Sequence, residues 1–185
     1  MLSEMEHFDP ELIKLLYGWG MLLQKIEEEF LENVENKLYV FDWDGTLTEF
    51  KYGGKKLLPC RDDQVADYSR KGRNIYKNAR VLECMKYLIN KLPEKQVYIL
   101  TRTELPLIDM KEKCIYKHYP FLEKLEGHVI HVQDSNNKLN EIEKLHETTG
   151  KEVVFVEDTF KTILNAEELI PACMDENYHI SSFLF

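Results

Sequence analysis

The sequence predicts an α/β fold: three layers, with a parallel β-sheet flanked by helices. Three observations carry this. Short apolar runs alternate with helical patterns along the chain. Those runs are apolar throughout rather than every second residue, as strands buried on both faces are. Polar or acidic residues follow directly on the end of each run, where parallel sheets gather their chemistry. The 185 residues suit a single domain, 1–185.

Residues 1–36 read as an N-terminal helical segment, with the helix over 9–35. Asp9 caps it, Pro10 suits its first turn, and Gly18 and Gly20 can divide it in two. Its apolar stripe either packs on the sheet or forms a homo-oligomer interface. Leu38–Phe41 is the first buried strand. Residues 48–79 show no clear period and read as a flap or minimal cap insert, with turns at Gly53-Gly54 and Pro59. Arg80 to Leu92 reads as a helix stopped by Pro93. Val97–Leu100 is the second strand, and residues 104–118 are helical. His128–Val132 is the third strand. Asn137 to Thr148 is a helix capped from Ser135 or Asn136 and stopped by Gly150. Val153–Val156 is the fourth strand. A helix over 159–169 and a fifth strand from Tyr178 to Leu184 complete the pattern.

Composition narrows the function. No apolar run reaches the ~18 residues of a membrane span, so no membrane partner is expected. The N-terminus lacks the basic-then-apolar order of a signal peptide. Cys60, Cys84, Cys114 and Cys173 form no Cys-x-x-Cys pair, which disfavours zinc and a disulfide framework and points to a cytoplasmic protein. The net charge of −9 disfavours nucleic-acid binding by the whole surface. The charge is polarised, however. Residues 51–80 carry nine Lys/Arg against three Asp, a net of +6, whereas residues 1–36 carry nine acids against Lys14 and Lys25, a net of −7. The basic stretch is either a solvated face or a field for an anionic substrate.

The strand ends hold the chemistry. The first runs into Asp42-Trp43-Asp44-Gly45-Thr46 and the second into Thr101-Arg102-Thr103. Lys138 opens a helix after the third, and Glu157-Asp158 follow the fourth. Asp42 and Asp44, two apart, face one point while Trp43 turns away into packing. Two carboxylates that close repel unless a cation lies between them, and Asp158 can add a third oxygen. Hard oxygens without histidine or cysteine suit Mg²⁺. Lys138 and Thr101 can neutralise and hydrogen-bond a phosphate.

Phe41-Asp42-Trp43-Asp44-Gly45-Thr46-Leu47-Thr48 resembles the first motif of the haloacid dehalogenase (HAD) superfamily. Thr101 resembles its second motif, Lys138 its third and Glu157-Asp158 its fourth, in the right order. The resemblance implies a Rossmann-like core and a capless or minimally capped, Mg²⁺-dependent phosphatase. It also implies the roles. Asp42 is the nucleophile that becomes an aspartyl-phosphate, and Asp44 is the general acid and then base. Asp42, the Asp44 carbonyl and Asp158 hold Mg²⁺, while Thr101 and Lys138 hold the phosphoryl group. Glu157 pairs with Lys138 behind the site. Arg102 reaches either substrate or a sheet-edge ion pair. The substrate is a phosphomonoester: a small molecule, a nucleotide or a macromolecular phosphate. A phosphotransferase or phosphomutase would use the same residues. A non-catalytic phosphate-binding protein or a receiver domain is disfavoured. A receiver's paired acids precede its phosphoacceptor strand and its lysine comes last, whereas here 157–158 follow Lys138.

Overall fold

The computed structural model describes residues 28, 30–52, 55–57 and 70–157. The chain divides into two compact units, Met1–Val34 and Glu35–Phe185. Of the first unit, residues 28 and 30–34 are described: they close a helix and pass through Asn33 in the left-handed region, φ 50°. The rest of the expected N-terminal helix, the helix over 159–169 and the strand over 178–184 lie outside the described residues.

The second unit is built on a parallel sheet. Its strands are β1 (Lys37–Phe41), β5 (Val97–Arg102), β6 (Val129–Val132) and β7 (Glu152–Val156), in the spatial order β6-β5-β1-β7. All three pairings are parallel. β1 lies between β5 and β7 and is buried at every position. The apolar run Leu38–Phe41 follows from that, because both faces of a central strand are covered.

The order explains where the site forms. The chain steps outward from β1 to β5 to β6, then returns across β1 to β7. That reversal falls at the carboxyl ends of β1 and β7, the place where open α/β sheets bind ligands. Phe41 is level with both Ile99 and Val156, so the residues that follow β1 and β7 emerge side by side. The Asp42 amide donates to the Val156 carbonyl at 2.9 Å, which carries the pairing one residue past the strand.

The connecting helices flank the sheet. Helix α1 spans Glu83–Ile89, α2 spans Ile108–His118 and α3 spans Lys138–Thr149. Ile142 and Leu145 of α3 pack on Leu38, Val40, Leu100, Val153 and Phe155. Thr101 points to the opposite face from Leu100, and Lys111 of α2 reaches Thr101. Helices α2 and α3 therefore cover opposite faces. Gly150 ends α3 as expected, in the left-handed region at φ 65°, with its amide donating to the His146 carbonyl at 2.7 Å.

Within the expected flap, residues 48–52 and 55–57 form antiparallel strands β2 (Thr48–Tyr52) and β3 (Lys55–Leu57), on either side of Gly53-Gly54. Two local expectations are corrected. Arg80–Val81 is not helical. It forms β4, paired with Glu49 and Thr48 in a second, three-stranded sheet. The Leu82 amide donates to the Leu47 carbonyl at 2.9 Å, so long-range pairing takes the residues that the helical period had claimed. Helix α3 is preceded by a tight 3-10 turn, Ser135–Asn137. The Asp134 carboxylate caps that turn by accepting from the Asn136 amide, whereas neither Ser135 nor Asn136 caps the helix.

Candidate functional site

The turn after β1 is tight and internally bonded. Gly45 adopts φ 87°, a conformation that favours glycine. The Thr48 amide and hydroxyl both donate to the Trp43 carbonyl, at 3.1 and 2.9 Å. Trp43 is fully buried, edge-on to Tyr119 with ring centroids 6.2 Å apart, so the turn is pinned through its middle residue. Asp42 and Asp44 flank Trp43 at the carboxyl end of β1.

Two buried lysines meet these two aspartates. The Lys138 ammonium lies 2.8 Å from Asp42 Oδ1 and 2.6 Å from Glu157 Oε2, and all three side chains are more than nine-tenths buried. Burial alone would drive this ammonium down. The two carboxylates outweigh burial and hold its pKa above the ordinary lysine value. The predicted pairing of Glu157 with Lys138 is present. Lys138 comes from the first turn of α3, Asp42 from the end of β1 and Glu157 from the end of β7.

The second lysine is one that sequence reasoning missed. Lys111 of α2 is fully buried and donates to Asp44 Oδ2 at 2.6 Å, Thr101 Oγ1 at 3.0 Å and the Arg102 carbonyl at 2.7 Å. Its ammonium also lies 5.5 Å from the Tyr76 ring centre. A signal existed. Lys111 falls on the stripe Leu107, Lys111, Cys114, Ile115, and all four are buried. A lysine on the apolar stripe of a helix is rarely buried without a partner.

Burial pushes the Asp44 carboxyl above the ordinary range. Lys111 pulls it back, and the Asp42 charge adds to the rise. Thr101 is buried and accepts from Lys111, which leaves its own hydroxyl proton to donate. Arg102 enters the cluster through its main-chain oxygen, its side chain being exposed. Asp158 lies outside the described residues.

With every carboxyl ionised, Asp42, Asp44 and Glu157 set against Lys111 and Lys138 leave a net charge of −1. A phosphate dianion would enter against that charge, which is the electrostatic argument for a bound divalent cation. The donor chemistry fits Mg²⁺: the groups at this strand end are hard oxygens, the Asp42 carboxylate and the Asp44 main-chain carbonyl, with no histidine or cysteine in the lysine–carboxylate cluster described above. Among the described residues no three His, Cys, Asp or Glu side chains gather into a metal cage. His128 bonds the Val97 carbonyl and stacks on Tyr98, while His131 bonds Thr103 and faces Glu112.

Among the described residues no helix is long and apolar enough to cross a membrane. Compared with known proteins, the chain matches no family model, no curated protein and no solved structure.

Proposed function

We propose that this chain is a Mg²⁺-dependent phosphomonoesterase of the HAD-like kind, working through an aspartyl-phosphate on Asp42. One observation carries the reading: two aspartates at the end of the central parallel strand, each held by a different buried lysine. Paired acids with opposite tasks are what covalent phosphoryl transfer to water needs.

In this reading an Asp42 oxygen attacks phosphorus. The phosphorus–oxygen bond to the leaving group breaks as Asp44 gives that oxygen its proton, and the alcohol leaves neutral. Asp44, now a carboxylate, takes a proton from water as the water oxygen attacks phosphorus. Inorganic phosphate departs and Asp42 is regenerated. The rise in the Asp44 carboxyl pKa favours the protonated form that the first step uses. Thr101 and Lys138 hold the phosphoryl oxygens. Asp42, the Asp44 carbonyl and Asp158 would hold Mg²⁺, which when bound neutralises charge where carboxylate meets phosphate. Each unit-charge repulsion there, at ~4 Å and an effective dielectric near 20, is roughly 4 kcal/mol.

The test is phosphate release from p-nitrophenyl phosphate and a panel of nucleotide and sugar phosphates, with and without Mg²⁺. Wild type releases phosphate only with Mg²⁺. Asp42→Asn lowers the rate by at least about 10²-fold. The variant keeps its fold, because Lys138 retains Glu157. Silence of folded wild type across the panel, or a fully active Asp42→Asn, overturns the reading.

A further inference from the structure

We propose that Lys111 is a positioning residue for Asp44, fixing one carboxylate oxygen and with it the orientation of the carboxyl group that exchanges a proton with the leaving group. The inference rests on the reading of Asp44 as general acid. It stands on three observations. The ammonium has three protons and three acceptors, Asp44 Oδ2, Thr101 Oγ1 and the Arg102 carbonyl, at 2.6, 3.0 and 2.7 Å. Its donors are used up, so it does not serve as a substrate ligand. It is fully buried and grows from α2, so its position is set by packing rather than by solvent. Asp44 Oδ1 is buried and accepts no hydrogen bond among the described residues, while the side chain as a whole keeps a third of its surface exposed, so the Lys111 contact is what sets the carboxyl's orientation. A carboxyl that can rotate would present either oxygen. With Oδ2 bonded to Lys111, rotation breaks a charge-assisted bond, and the carboxyl is held in a single orientation.

The same lysine ties the turn after β1 to the end of β5. Thr101 and Arg102 are the last two residues of that strand. Lys111 thus sets the acid oxygen relative to Thr101, which holds the phosphoryl group in the same reading. Sub-ångström placement of this kind decides whether proton transfer keeps pace with bond cleavage.

A purely structural lysine and a positioning one differ in leaving-group dependence. The experiment measures kcat/KM for wild type, Lys111→Met and Asp44→Asn on p-nitrophenyl, phenyl and p-methoxyphenyl phosphate with Mg²⁺. p-Nitrophenolate departs with little protonation, whereas the poorer leaving groups need the acid. Lys111→Met should lose less than about 10-fold on the first ester and about 10²-fold on the poorer ones, in parallel with Asp44→Asn. An equal loss on all three esters in Lys111→Met, with Asp44→Asn selective, makes Lys111 structural and overturns the inference alone. Inactive wild type on every ester overturns the phosphatase reading, and the inference falls with it. If Lys111→Met does not fold, Lys111→Arg reads the same comparison, since it keeps the charge but not three bonds from one nitrogen. A readout without catalysis accompanies it: thermal melting of the metal-free single and double variants of Lys111 and Asp44. The double variant should lose less than the sum of the singles. Additive losses overturn the pairing.

Discussion

Cys114 lies three residues after Lys111 on the same buried stripe, and its thiol contacts the Tyr76 carbonyl at 3.5 Å. Burial pushes that thiol up to about 11, against a smaller lowering by Lys117. Cys84, by contrast, is exposed. Only the thiolate reacts with an alkylating agent, so at neutral pH Cys114 should label at least ~10²-fold more slowly than a free thiol. Iodoacetamide labelling of the native protein, read by peptide mass spectrometry, checks this with Cys84 as internal reference. Labelling of Cys114 at the Cys84 rate would mean that α2 opens readily, and the fixed position of Lys111 would then lose its support. Motif spacing singles out Asp42 and Asp44 because both lie in one short segment. Lys111 stands 67 residues from Asp44 in sequence, and no local pattern joins them.

At the scale of elements, α2 and β6 meet through His131. Its Nδ1 is hydrogen-bonded to Thr103 Oγ1 at 2.9 Å and its Nε2 lies 3.3 Å from Glu112. Burial lowers its pKa first and the nearby Lys111 lowers it further, while Glu112 opposes both. The folded protein therefore holds His131 neutral at a pH where the unfolded chain already takes up a proton. Stability from this residue is fully present above the unfolded value of ~6.5 and is lost as pH falls toward the folded one. Urea midpoints at pH 7.5 and 5.5 should fall less between those values in His131→Asn than in wild type. Part of the slope should remain, because burial lowers the His118 pKa too. An equal slope in the two proteins would take His131 out of the contact between β6 and α2. The short strand β4 belongs to this scale as well. Arg80 to Leu92 carries a helical apolar period, yet its first two residues pair with β2, and the helix is confined to Glu83–Ile89. Backbone pairing with a distant strand outweighs a local period over two residues, because every N–H and C=O near a buried turn must find a partner.

Across the whole molecule the charge is uneven, and that bears on substrate. Arg70, Lys71 and Arg73 are exposed, in a stretch that carries +6 within a chain of net −9. In the proposed function this stretch favours a phosphomonoester bearing a second anionic group. Neutralising all three residues should raise KM for such a substrate about 10-fold, with little change for p-nitrophenyl phosphate, and should flatten the dependence of KM on added salt. No shift in KM would assign these residues to a solvated face.

The sequence by itself determined the parallel α/β sheet and the four strand ends that carry polar groups. These follow from short-range rules: buried strands are apolar throughout, and chemistry gathers at their carboxyl ends. The pairing of Glu157 with Lys138 was implied by the motif resemblance rather than by any such rule. Only the tertiary structure decided which lysine holds which aspartate, that β4 closes a second small sheet, and that Lys111 crosses from α2 to tie Asp44 to the end of β5. The physical reason is that a buried charge is placed by whatever partner the fold brings to it. That partner is chosen by the packing of distant elements, whereas the period of a helix or strand reports only which face is covered.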